Sequence, residues 1–456
     1  MRVITKTVKP PYKISPRGQT GLSLGMVLFL LYAWICVGRP QEIVPELLVL
    51  RLGLLTGGLA LLAWLHAPGG FAEKIALDTP IVRDVMLLVG LSALTVPISI
   101  WPIHSLLFLF NVFLKTVLLF VLVIYWCRTV EDVRRLLWVY CLGSVSLVIP
   151  GVLSGHAGQE RYSVESLSYD ANDIALLQVM AIPLILYLYA TSGRYGRWMS
   201  AGMLILCLYG IILTQSRGGF LGLVVVGGLI VWRSSMRRAA KVRIVVLGVL
   251  VFGILAGTAW KERILTMWDP QTEYDQTAGG RTDLWKSSLV LLAKRPWGVG
   301  IDNFVTAEGL SHGGLGKWSA PHNTFFQIAV ELGVVGLAIF IRMLARTLQS
   351  LHLIKISIKP PMLPVVMRRL PDRQPRAPAR ELDESGHLYQ LAEALELTLY
   401  GFIVVGFFLS HAYSAILYIM LALGLVLTRL AKLTNVSRDP LWRRVPKTAL
   451  NQVRTP

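Results

Sequence analysis

Residues 106–126 read LLFLFNVFLKTVLLFVLVIYW, an unbroken apolar run interrupted by a single charge, Lys115. A helix of that length crosses the roughly 30 Å hydrocarbon core of a bilayer. The run lacks the alternation of polar and apolar positions that a water-soluble core requires. Eleven further runs of this kind can be placed, and together the twelve cover about 22–38, 47–64, 84–101, 106–126, 136–154, 173–190, 198–215, 219–232, 243–260, 323–341, 396–411 and 413–430. Over all 456 residues 54% are apolar, 16% are charged and the mean hydropathy is +0.59, where a soluble domain carries about 25% charged residues. A soluble enzyme, a disordered chain and a collagen-like chain are excluded. A transmembrane β-barrel is excluded too, because its strands would alternate in polarity. The expected fold is an all-α polytopic membrane protein with about 12 transmembrane helices. The first run ends Trp34-Ile35-Cys36-Val37-Gly38-Arg39, without the small-x-small site of a cleaved signal peptide.

Charge sets the expected orientation. The net charge is +19. In a soluble protein that excess would suggest nucleic acid, but here cytoplasmic loops explain it and no nucleic-acid partner is expected. With the N-terminus inside, the inner segments hold 33 Lys and Arg, while the outer side, Arg39 and Arg51 included, holds 11. Short basic loops resist translocation, so both termini are expected inside. The chain then divides into a cytoplasmic N-terminus (1–21), helices 1–9 (22–260), an outer loop (261–322), helix 10 (323–341), a basic linker (342–395), helices 11–12 (396–430) and a tail (431–456). The linker is proline-rich and reads as flexible, able to lie on anionic lipid. The outer loop carries Trp268, Trp285 and Trp297 and reads as folded. Cys36, Cys127, Cys141 and Cys207 lie in or beside apolar runs with no CxxC spacing, so neither a disulfide framework nor a zinc site is expected.

The polar motifs gather on the outer side. Thr214-Gln215-Ser216-Arg217-Gly218-Gly219 joins two apolar runs, and its glycines permit a tight turn. Arg217 is either aimed at an anion such as a phosphate or snorkelling to lipid head groups. Gly280-Arg281-Thr282-Asp283 precedes a segment with helical apolar spacing that ends at Arg295-Pro296. Thr282 or Asp283 can cap that helix, which places Arg281 at its N-terminus, where free N–H groups favour an anion. The alternative is an amphipathic helix on the membrane with Arg281 solvated. Trp297-Gly298-Val299-Gly300 lacks the third glycine and the preceding strand of a dinucleotide site, and reads as a structural turn. In Pro321-His322-Asn323-Thr324, Asn323 is a natural N-cap. His322 is a base or hydrogen-bond partner near neutrality, or simply a cap-region histidine. Asn172 or Asp173 caps the sixth run, and Asp170 with Asp173 is the one weak candidate for a metal pair. His411 and Tyr413 sit at the last outer turn. Lys115 and Asn111 share one helix face, as a polar contact or as part of a functional interior.

Taken in order, these residues resemble the bacterial O-antigen ligase family, which shares a domain with O-antigen polymerases and protein O-oligosaccharyltransferases. The resemblance is carried by Ser216-Arg217-Gly218-Gly219, by Gly280-Arg281 with Trp285, by Arg295-Pro296-x-Gly298-x-Gly300-x-x-Asn303-Phe304, and by His322-Asn323 leading into Glu331-Leu332-Gly333-Val334-Val335-Gly336. It covers about 170–340, and Asn172 fits the family's asparagine before the corresponding span. It implies a GT-C-like, inverting, metal-independent glycosyltransferase without a cofactor, in the bacterial inner membrane, with its site on the periplasmic loop. The implied donor is a glycan on undecaprenyl diphosphate. The implied acceptor is lipid A core, or a glycan or protein hydroxyl in the relatives. Arg217 and Arg281 match the arginines that hold the diphosphate, and His322 matches the histidine near the acceptor. Ser216, Gly218, Gly280, Arg295, Asn303, Asn323, Asn172 and His411 are the accompanying candidates for substrate binding. A transporter would instead predict charged or broken helices at mid-bilayer.

Overall fold

The computed structural model describes residues 22–69, 76–154, 162, 169–265, 280–311, 313–314, 316, 318–358 and 384–434. The N-terminal segment 1–21, most of the tail 431–456, Arg161, Trp268 and the middle of the basic stretch 342–395 lie outside them. Among the described residues the secondary structure is helical and no strand occurs.

Each of the twelve apolar runs overlaps a helix. In chain order these are α1 (Leu24–Gly38), α2 (Leu52–His66), α3 (Pro80–Ile98), α4 (Pro102–Trp126), α5 (Val130–Leu153), α6 (Ala171–Thr191), α7 (Arg194–Thr214), α8 (Arg217–Arg233) and α9 (Arg238–Leu265). Two shorter helices follow, α10 (Arg281–Lys294) and α11 (Phe304–Ser311), and then α12 (Thr324–Ser357), α13 (Glu384–Gly406) and α14 (Ala415–Leu433). Eight of them, α3 to α7 and α12 to α14, are long and apolar enough to cross a membrane, consistent with a polytopic membrane protein.

The core is built around α6, which packs against α5, α7, α8 and α13, while α12, α13 and α14 pack on one another. Met180, Leu184, Phe402, Tyr418 and Leu421 are fully buried there. Lipid tails give no hydrophobic drive between helices, so close packing and hydrogen bonds hold them. Pro183 interrupts the α6 ladder, and Thr398 Oγ1 on α13 donates to Met180 O (3.0 Å) in the same turn. A neighbouring hydroxyl thus serves backbone that proline disturbs.

Three expectations are corrected. Residues 342–357 of the basic stretch are not a linker but continue α12, and 384–395 already belong to α13. The continuation is held by ion pairs. Arg342 and Arg346 grip the buried Asp84 at 2.8 and 2.6 Å, and Lys355 with Arg233 engages the buried Glu396. α6 is capped by Asp170, whose carboxylate accepts from Asn172 N and Asp173 N, and not by Asn172 or Asp173. The third concerns Gly218-Gly219, which form the first turn of α8 and not a tight turn. Gln215, in the left-handed region, makes the reversal, and a Cβ on Gly219 would stand 2.4 Å from the Ala175 Cβ on α6.

The outer-loop turn is pinned to a break in α12. Gly333 adopts φ 72°, ψ −173°, which interrupts the helix. The orphaned carbonyls of Val330 and Glu331 accept from Val299 N and Gly300 N, and Pro296 O accepts from Val334 N, each at 2.9 Å. Helix-end groups are thereby satisfied by a loop instead of by water. A Cβ at Gly333 would lie 2.3 Å from Pro296 O. Gly333→Ala therefore combines a clash with a strained φ, and is expected to cost about 1–3 kcal/mol, read as a fall in thermal stability of the detergent-solubilised protein. A variant as stable as the parent would show that the break does not depend on glycine.

Candidate functional site

Arg217 and Arg281 are each the first residue of a helix. Ser216 caps α8: its Oγ accepts from Gly219 N (3.1 Å) and donates to Asn172 Oδ1 (2.8 Å), which ties α8 to the start of α6. α10 begins after Gly280, without the side-chain cap expected from Thr282 or Asp283. The two N-termini meet at Phe408, in the turn after α13. Gly218 faces it, so that a Cβ there would stand 3.4 Å from the Phe408 Cβ, and the Arg281 guanidinium lies 6.0 Å from its ring centroid. Two helix N-termini on one apolar platform, with the Arg281 guanidinium over it, favour an anion.

Trp285, one turn into α10, donates from Nε1 to Pro321 O (3.0 Å) and meets the Phe407 ring edge-on. Next to Pro321, His322 sits at φ 45° and opens into a cavity of about 980 Å³. Asn323 caps α12, its Oδ1 accepting from Phe325 N and Phe326 N. On the same cavity His411 Nε2 meets Asp173 Oδ1 at 2.7 Å. The turn bearing His411 is fixed from α12: Thr324 Oγ1 donates to Leu409 O and accepts from His411 N, and Gln327 Oε1 accepts from Ala412 N.

The structure therefore brings Arg217, Arg281, Ser216, Gly218, Gly280 and Asn172 to the Phe408 turn, and His322 and His411 to the cavity beside it. Arg217 and Arg281 do not line the cavity itself. Two further candidates are spent elsewhere. Asn303 is fully buried and donates from Nδ2 to Ser105 Oγ and Ile301 O, stitching the outer loop to α4. Arg295 is exposed at the far end of α10, about 20 Å from Arg281 by helix rise. Asp170 and Asp173 do not act as a ligand pair, since one caps α6 and the other holds His411. Among the described residues no group of three potential metal ligands occurs.

The cavity also contains residues not singled out above. Arg39, Arg51, Tyr169 and Asp302 line it together with Asn111 and Lys115. Burial pushes the Asp302 carboxyl above its usual range, against the pull of His104, whose Nε2 lies 2.9 Å away. Burial likewise raises the Tyr169 phenol, opposed by Arg39, whose guanidinium stands 4.4 Å from its ring centroid. Of the seven non-glycine residues with positive φ among those described, Arg39, Arg51, Asp302 and His322 line this cavity. Backbone strain of this kind concentrates at functional sites. The sequence held a signal for two of them, because Arg39 and Arg51 are basic residues on the side that charge asymmetry depletes.

Residues 202–341 match the O-antigen ligase family. The match contains Arg217, Arg281 and His322, and supports a membrane glycosyltransferase of the O-antigen ligase or polymerase type. No curated protein matches the chain.

Proposed function

Taking residues 202–341 as an O-antigen ligase domain, we propose that the chain transfers a glycan from undecaprenyl diphosphate to an acceptor hydroxyl at the periplasmic face of the inner membrane. The observation that carries this reading is the convergence on Phe408 of the two helix N-termini that begin at Arg217 and Arg281, beside the cavity lined by His322. Arginine forks match phosphate oxygens in bidentate geometry. Neutralising the diphosphate makes it a good leaving group. His322 takes or polarises the proton of the incoming hydroxyl, which attacks the anomeric carbon from the opposite side and inverts it. The tail of the donor lies along the membrane beside the Phe407–Phe408 turn. Lipid A core is the acceptor of a ligase, and a growing glycan or a protein hydroxyl that of a polymerase or protein-glycosylating relative. A reconstituted assay with one donor and these acceptors side by side decides among them. Transfer to none of them would sink the reading.

Two guanidiniums supply the charge neutralisation that a divalent ion gives many other transferases. Full activity is therefore expected in excess EDTA. Loss to EDTA that magnesium or manganese restores would instead implicate a metal. The orientation has its own test. Cysteines introduced at Thr272 and Arg376 should react with an impermeant reagent from opposite sides of the membrane, and labelling of both from the periplasm would overturn the topology.

A further inference from the structure

The cavity holds more cation than this reaction uses. Three carboxylates line it, and each has a partner: Asp170 the α6 N-terminus, Asp173 the His411 ring, Asp302 the His104 ring. Besides the histidines, three cations line it: Arg39, Arg51 and Lys115. Arg39 is paired with Glu42 and rests against Tyr169, but one of its guanidinium nitrogens is unused. Its Nη1 donates to Glu42 Oε1 (2.7 Å), while its Nε is buried without a hydrogen-bond partner. The side chains of Arg51 and Lys115 form no hydrogen bond or ion pair among the described residues.

Two of these cations are held by irregular backbone, and the third sits two residues after a π-helical turn. Arg39 and Arg51 lie at φ 42° and 43°, at the junctions that end α1 and begin α2. Lys115 follows a π-helical turn, Leu109–Phe113, inside α4, and such turns often mark functional positions. A lysine without an ion partner in a membrane span is costly and is by default a functional candidate when, like Lys115, it faces a cavity. Arg217 and Arg281 stand off this wall, so the diphosphate does not explain it, whereas His322 shares it.

We propose that Arg39, Arg51 and Lys115 form a binding site for an anionic substituent, a phosphate monoester or carboxylate, on the glycan acceptor. Only the word acceptor rests on the transfer reading; the anion site rests on the cavity. A volume of about 980 Å³ is at the upper end for ligand pockets and has room for a saccharide around the anion.

The test uses the full chain in phosphatidylcholine nanodiscs. The probe is a short hexosamine oligosaccharide bearing one phosphate monoester, compared with the same glycan after phosphatase treatment. The parent should bind the phosphorylated form about tenfold or more tightly. Arg51→Gln and Lys115→Gln should each remove most of that preference, and Lys115→Arg should retain it. Undecaprenyl diphosphate binding should follow Arg217→Ala and not these variants. No preference in the parent, or a preference surviving both glutamine variants, overturns the site. A preference lost when phosphatidylglycerol is added to the nanodisc assigns the wall to lipid head groups and overturns the acceptor assignment. Failure of the parent to transfer any glycan would count against the transfer reading alone, because the binding comparison does not depend on turnover.

Discussion

Arg217→Lys, inserted and expressed like the parent, is expected to lose about a hundredfold in glycan transfer. The substitution keeps the positive charge and changes its shape. A planar fork can address two phosphate oxygens at once, whereas an ammonium acts as a point charge. Arg217 begins α8, so the helix N-terminus remains available to the anion and some binding should survive. Arg281→Ala removes both fork and charge from the start of α10 and is expected to cost at least as much. The measurement is transfer from a purified undecaprenyl diphosphate donor, with variant and parent matched for membrane level. If both variants transferred glycan at the parental rate, the diphosphate would have to bind elsewhere, and the convergence at Phe408 would be a packing feature only.

His322→Ala is expected to separate binding from chemistry. The histidine lines the cavity while the two arginines stand off its wall. Donor affinity should therefore hold, while transfer falls by about 10²–10⁴, the range for loss of a general acid–base group. His411→Ala gives a useful contrast. His411 pairs with Asp173 at 2.7 Å, so its removal leaves a carboxylate without its partner near His322, and a smaller loss with an altered pH profile is expected. Donor binding that collapses in His322→Ala would place this ring at the diphosphate and reverse the assignment of roles.

The helical architecture was legible because bilayer thickness imposes a length on apolar runs, and residues 106–126 or 173–190 satisfy it without reference to any partner. The ends were less legible. Arg342, Arg346 and Lys355 look like linker residues until Asp84 and Glu396 are found opposite them, and the contacts of Arg346 and Lys355 join positions 262 and 41 residues apart. The two helix-start arginines and His322 could be marked by local signals: a capping serine, a preceding glycine, a capping asparagine. Asn303 was marked by the same kind of motif and proved to be buried cement. A short polar motif shows that a position is constrained, but it does not distinguish a ligand contact from a backbone contact. Arg39 and Arg51 carried a signal in their charge, as basic residues on the depleted side, but none in their conformation. Their strain is a property of φ, which composition and spacing do not encode.

The break at Gly333 also determines how Arg281 is delivered. α10 is 14 residues long, close to 20 Å at about 1.5 Å per residue. Its C-terminal end leads directly into the segment Pro296–Gly300, bonded to the gap in α12. Arg281 thus stands at the far end of a lever whose fulcrum is that gap, and the lever is braced along its length against α11 and α12, with Leu284, Ser288 and Leu291 buried. A swing of about 10° at the fulcrum displaces the guanidinium by 3–4 Å for a lever of this rise, more than the tolerance of a phosphate fork. Trp285 is one of the restraints on that swing, through its bond to Pro321 O and its contacts with Phe407 and Phe326. Because Pro321 directly precedes His322, the same bond ties the position of α10 to that of His322. One indole thus links the two halves of the candidate site.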